Sequence, residues 1–182
     1  MGKHYIFRNN DGIYFITCTL VAWVDLFTRI EYKECVVDAL LYANVHKGLQ
    51  IHAYVIMTNH IHLIISTEGS HDLSAIIRDF KKFTAKKCLQ LVNCISESRR
   101  VWLMNRFAYE AKRKIRGDKH KFWQEGYHAV ELNGNLMIDQ RLNYIHQNPV
   151  RAGIVFEPHH YVYSSAIDYA GGVGRVPISL AL

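Results

Sequence analysis

Long hydrophobic runs are missing from this 182-residue chain: its longest apolar stretch, IYFITCTLVAWV at residues 13–24, covers 12 residues. That is too short to span a bilayer as a helix and reads as a β-strand with its exit. Prolines are scarce, three in all, and no low-complexity tract or solenoid-type repeat is present, which argues against long disordered segments. The four cysteines, Cys18, Cys35, Cys88 and Cys94, form no Cys-x-x-Cys pair, so a zinc ribbon is excluded and reduced, buried thiols are expected. The first residues, MGKHYIFRNND, have no secretory layout, and Ile6 stands where a myristoylation signal needs Ser or Thr. A cytoplasmic location is the expectation.

What is present is an ordinary globular composition with a lopsided charge. The net charge is +6, yet residues 99–121 alone hold nine Lys/Arg against Glu110 and Asp118, leaving −1 for the remainder. This segment, RRVWLMNRFAYEAKRKIRGDKHK, interleaves the basic groups with Trp102, Phe107 and Tyr109. Cations neutralise phosphates and aromatic faces stack on bases, so the pattern fits a nucleic-acid surface. It fits a solvated basic helix equally well.

Periodicity predicts the element order. Residues 12–20 and 49–57 read as strands rich in β-branched and aromatic side chains, and 60–67 as a third strand after the turn-like Thr58-Asn59. Residues 30–48 carry apolar side chains at helical spacing and stop at Gly48. A second helix over 73–92, capped by Asp72 or Ser70, buries Ile76, Ile77, Phe80, Phe83, Cys88 and Leu91 and turns Arg78, Lys82 and Lys86 outward. A fourth strand falls near 127–132, and a last helix runs from about 136 toward 148, closed by Pro149 and Gly153. The order β-α-β-β-α-β is that of an α+β, ferredoxin-like unit, an antiparallel sheet with helices on one face, to which the final helix is added. One domain is expected over 1–182, with a core at about 12–153, a basic insertion at about 93–121 and a tail at 154–182.

Two constellations bear on chemistry. In MTNHIHLIIS, His60 and His62 lie two apart on a strand and project together, while Ile61, Leu63 and Ile65 face the other side. Such a pair can hold a metal, or can be two strand residues. In the last helix Tyr144 and Asn148 are four apart and share a face. Packing and capping would explain them as readily as function.

The sequence also carries NHIHLII, FWQEGYH, YIHQNPVRAGIV and YVYSSAIDY in this order. Together they resemble the single-tyrosine HUH transposases, most closely the REP-associated tyrosine transposases, over residues 14–169. The resemblance implies that His60 and His62 are paired metal ligands, that Asn148 is the third, and that Tyr144 is the nucleophile. Gln147, one position before Asn148, is the substitute for that third place. It implies a Mg²⁺ or Mn²⁺ cofactor, cleavage and rejoining of single-stranded or hairpin DNA through a 5′-phosphotyrosine, and transposition or REP-element mobilisation. A monomer or a homodimer exchanging the tyrosine helix both remain open. Thr58 departs from the proline common at that place in the family. For DNA contacts the cations to watch are Lys82, Lys86, Arg99, Arg100, Arg106, Lys112, Arg113, Lys114 and Arg116. The rivals are a transposase-derived module that binds hairpins without cutting, and a metallohydrolase. The second lacks parts: the acid that a metallo-β-lactamase pattern needs two residues beyond His62 is Ile64.

Overall fold

The computed structural model describes residues 7, 9, 11–68, 71–113 and 119–179. Four strands, β1 (Tyr14–Thr19), β2 (Leu49–Ile56), β3 (His60–Thr67) and β4 (His128–Glu131), form one antiparallel sheet in the order β2-β3-β1-β4. Helix α1 (Ile30–Lys47) links β1 to β2. Helix α2 (Leu73–Cys94) and then α3 (Arg100–Lys112) precede β4, and α4 (Asn135–Arg151) and the short α5 (Ala166–Tyr169) follow it. The strand order and the β-α-β-β-α-β core are those of the expected α+β, ferredoxin-like fold.

Local chemistry sets the boundaries. Gly48 ends α1 in the left-handed region at φ 67°, where a side chain would be strained. Asp72 caps α2: its carboxylate accepts from the Ser74 amide at 2.8 Å, while Ser70, the alternative cap, lies outside the described residues. The basic segment left unassigned by periodicity forms α3, anchored by buried Leu103, Phe107 and Ala111.

One expected boundary is wrong. Pro149 does not close α4, which continues through it to Arg151. The missing amide costs a single bond near the helix end, where it is tolerable, and the chain turns out only at Gly153, φ 69°.

The strand registers decide what each sheet face carries. Thr17 pairs with His62, Thr19 with His60, Phe15 with Ile64, and Val55 with His62. Directly paired residues share a face, so these side chains line one side of the sheet. Ile16, Cys18, Ile61 and Leu63 line the other and are at most 1 % exposed. Helix α2 covers that apolar side, where Lys81 lies close enough to Cys18 to influence it electrostatically and Trp123 Nε1 donates to Thr84 at 3.0 Å. Three of the four cysteines are buried as expected, whereas Cys94, at the end of α2, is exposed.

The tail closes the open edge of β2, which would otherwise invite pairing with another chain. Ile56 N donates to Tyr163 O at 3.0 Å, Ser165 N to Tyr54 O at 3.0 Å and Ser179 N to Ile51 O at 2.8 Å. Among the described residues no helix is long and apolar enough to cross a membrane.

Candidate active site

The histidine face of the sheet is covered by α4, which brings Tyr144 against the histidine pair, whereas the side chain of Asn148 turns back to its own helix. The Tyr144 ring lies 5.2 Å from that of His62 and 6.0 Å from Phe15, edge-on to both. The rings of His60 and His62 are 4.7 Å apart. A tyrosine from one end of the chain and a histidine pair from the first hairpin therefore share one surface within a single chain.

Each imidazole is oriented through Nδ1. Asn59 Nδ2 donates to Asp25 Oδ1 at 2.9 Å, which fixes its amide and leaves Oδ1 as the acceptor facing His60 Nδ1 at 2.7 Å. His60 must then carry its proton on Nδ1 and present a lone pair on Nε2. Thr58 Oγ1 donates to the same Asp25 oxygen at 2.7 Å, a bond that the family's usual proline could not make. Thr17 Oγ1 lies 2.8 Å from His62 Nδ1, and a proton there directed at the hydroxyl leaves the lone pair on Nε2. This pattern, with one ring nitrogen held by a neighbour and the other free, is how metal-ligating histidines are set.

His62 Nε2 is buried and has no hydrogen-bond partner among the described residues. An orphaned buried polar atom costs about 1–3 kcal/mol, so that nitrogen is an uncompensated lone pair inside the site. Burial, with the nearby His60 and Arg141 adding to it, pushes the His62 pKa down to about 3. Burial also lowers that of His60, against the pull of Asp25. Both rings are held neutral, the form that binds a cation.

Among the described residues no three His, Cys, Asp or Glu side chains stand together as a metal set. A third protein donor could come only from another residue type. Asn148 lies one turn beyond Tyr144, and its Nδ2 donates to Tyr144 O at 2.8 Å, which leaves its amide oxygen uncommitted. The Gln147 side chain makes no hydrogen bond among the described residues. The donor set of two imidazole nitrogens and one amide oxygen suits a borderline or hard divalent ion.

The hydroxyls of the other tyrosines separate them from Tyr144. Those of Tyr14, Tyr32, Tyr127, Tyr161, Tyr163 and Tyr169 all donate to named acceptors, and that of Tyr54 accepts two backbone amides. Tyr42 and Tyr109 are exposed on α1 and α3. Among the described residues no hydrogen bond engages the Tyr144 hydroxyl. His146 turns away from the site, its Nε2 3.0 Å from Ser165 Oγ.

The cations singled out by charge are scattered. Lys82 and Lys86 are exposed on α2, on the far side of the sheet from the histidines. Arg99 bonds Glu97 Oε1 at 3.2 Å and Asp25 O at 3.0 Å, and Arg100 bonds Val92 O at 3.0 Å and Ile95 O at 2.7 Å; both tie α3 to its neighbours. Arg106 and Arg113 pair with Glu110 at 3.5 and 3.4 Å, Lys112 is exposed, and Lys114 and Arg116 lie outside the described residues.

Two cations that charge counting passed over stand closer. The Arg141 guanidinium lies 5.0 Å from the Phe15 ring centre, and that of Arg151 lies 6.0 Å from the Tyr144 ring centre. Their spacing from Tyr144, three before and seven after, places all three on one helix face. Extending that face in the sequence would have found them.

The segment before α1 supplies the rim of the site. Trp23 is 61 % exposed, and its ring sits 6.2 Å from that of His60, nearly perpendicular to it. Ala22 and Trp23 have φ 52° and 54°, a left-handed conformation that costs a non-glycine residue about 1–2 kcal/mol. No sequence signal marks this turn, since neither residue is Gly or Asn.

Comparison with known proteins agrees with the fold. The sequence model of the family described as "Transposase IS200 like" matches residues 25–110, which include both histidines. The structure superposes on a REP-associated tyrosine transposase solved bound to a REP hairpin, with TM-score 0.68 and 19 % identity, covering 98 % of this chain and 92 % of that one. A candidate transposase from Deinococcus radiodurans R1 aligns at TM-score 0.45 and 14 % identity over 80 % of this chain and 94 % of the other. No curated protein matches the sequence. The family model covers just under half of the chain, and the structural likeness, at 19 % identity, shows that the chain shares the fold of that transposase.

Proposed function

We propose that this chain is a metal-dependent transposase of single-stranded DNA that cuts and rejoins strands through a 5′-phosphotyrosine on Tyr144. The observation that carries this reading is the placement of Tyr144, its hydroxyl uncommitted, 5.2 Å from a neutral histidine whose buried Nε2 lacks a partner. Neither packing nor capping accounts for that combination.

In the reaction, Tyr144 Oη attacks the scissile phosphorus and loses its proton to solvent. The P–O3′ bond breaks, and the departing 3′ oxygen takes up a proton. The 5′ phosphate stays on the tyrosine, so its ester energy is kept for attack by a second strand end. His60 and His62, through Nε2, and the Asn148 amide oxygen would hold the divalent ion, Mg²⁺ or Mn²⁺. When bound, the ion supplies charge neutralisation at the scissile phosphate. Arg141 and Arg151 flank the tyrosine and add fixed positive charge where the phosphodiester must lie.

The superposed transposase was solved with a REP hairpin, which supports hairpin DNA as the partner here. The test is to incubate the protein and Mn²⁺ with labelled hairpin DNA bearing single-stranded flanks, and to look for an adduct that survives denaturation. An adduct is expected. Hairpin binding without any adduct would favour the non-cutting module instead.

A further inference from the structure

We infer that Trp23 is a base-stacking platform at the mouth of the site, taking the nucleobase next to the phosphate that His60 and His62 address. The inference rests on the single-strand reading above and adds to it a contact with the bases, where the proposed site touches only the backbone.

Three independent observations converge on this residue. Trp23 leaves 61 % of its surface open beside a histidine ring 6.2 Å away, although a Trp usually buries most of its area. Its backbone and that of Ala22 are held in left-handed geometry, φ 54° and 52°, which bulky residues avoid. The surroundings over-determine that geometry. Val21 and Val24 on either side are 3 % exposed, and Val21 N donates to Phe122 O at 2.9 Å. Leu20 N donates to Asn59 O at 2.9 Å, and Trp23 N to Leu20 O at 3.2 Å.

Strain maintained by so many contacts, in order to expose an indole rather than bury it, marks a functional contact. The chemistry names the ligand. A flat, uncharged, electron-rich face beside a phosphate site suits a nucleobase, whose π-face stacks irrespective of sequence. Asn59 joins the two parts, because its side chain orients His60 while its Nδ2 also reaches Trp23 O at 3.5 Å. A base stacked on Trp23 would therefore be positioned by the same residue that aims the metal-binding histidine.

The test is a double-mutant cycle between protein and DNA, run in the Tyr144→Phe background so that no strand is cut. The probe is a fluorescein-labelled DNA hairpin with a single-stranded flank, and a set of the same strand with one tetrahydrofuran abasic residue walked along the flank. With Trp23 intact, one abasic position should weaken binding on the order of tenfold. Trp23→Ala should weaken the complete strand by a similar factor and abolish the extra penalty at that one position. Trp23→Phe, which keeps an aromatic face, should restore most of it. Equal abasic penalties in Trp23→Ala and in the Trp23 protein would overturn the inference and leave the proposed function standing. A Trp23 protein that binds none of these strands would overturn the proposed function itself, and the stacking platform with it.

Discussion

Asn59 Oδ1 accepts the Nδ1 proton of His60 across 2.7 Å, and the orientation of that amide is set in turn by Asp25. A strand residue thereby becomes an oriented imidazole with one defined lone pair. The neighbouring His62 receives its orientation from Thr17, across the β1–β3 pairing that places the two residues directly opposite each other. Neither supporting side chain touches the proposed phosphate. Both act through the imidazoles.

Removing these supports should weaken metal use before it harms the fold. Asn59→Ala and Thr17→Val should each raise the Mn²⁺ concentration needed for half-maximal adduct formation by about 10–100-fold. Adduct yield at saturating Mn²⁺ should recover. A Mn²⁺ titration of adduct yield reads this directly, and unchanged midpoints would remove the two residues from their positioning role.

Burial of neutral histidines gives the fold a pH dependence of known sign. The pKa of His62 is depressed to about 3 and that of His146 to about 4, both mainly by burial. Their unfolded counterparts titrate near ~6.5, so below that pH the unfolded chain binds more protons and gains on the native state. Stability is complete above about pH 6.5 and is lost as pH falls toward the folded values, by up to roughly 8 kcal/mol in all. Urea midpoints should fall steadily between about pH 7 and about pH 4.5. His62→Gln should flatten the decline, and an identical slope in that variant would contradict the assignment.

The arginines divide into two kinds. Arg141→Gln and Arg151→Gln should each flatten the salt dependence of single-strand binding by about 0.7 in log–log slope, one phosphate contact apiece. Arg100→Ala should leave that slope alone, because its guanidinium is spent on the carbonyls of Val92 and Ile95 that end α2. It should instead lower stability by about 1–2 kcal/mol. Binding isotherms across a salt series, beside denaturant melts, separate the two effects.

Much of this was legible in the sequence because two periods carried it. The strand period put His60 and His62 on one face, and the helix period put Tyr144 and Asn148 on another; the sheet then brought the faces together. The alternation of β1 to β3 matched the structure, and so did most of the apolar spacing of α1 and α2, but Phe83, expected in the core, is 52 % exposed and Val45 is exposed as well. Pro149 misled the placement of a helix end, since a proline near the last turn loses too little to stop it. Charge counting marked Arg99 and Arg100, whose partners are carbonyls and a carboxylate that no charge tally shows, and it passed over Arg141 and Arg151, which stand against Phe15 and Tyr144. The left-handed turn at Ala22 and Trp23 was not legible at all, because tertiary contacts impose it on residues that would not choose it.

The central claim is that Tyr144 forms a covalent bond to DNA, and the most direct measurement is of that bond. The protein is incubated with Mn²⁺ and labelled hairpin DNA, denatured, digested with protease and analysed by mass spectrometry for a nucleotide-bearing peptide. The account predicts a 5′-phosphotyrosine at Tyr144, absent in Tyr144→Phe although that variant binds the same hairpin with undiminished affinity. A DNA adduct that persists in Tyr144→Phe, or one mapped to another residue, would contradict it.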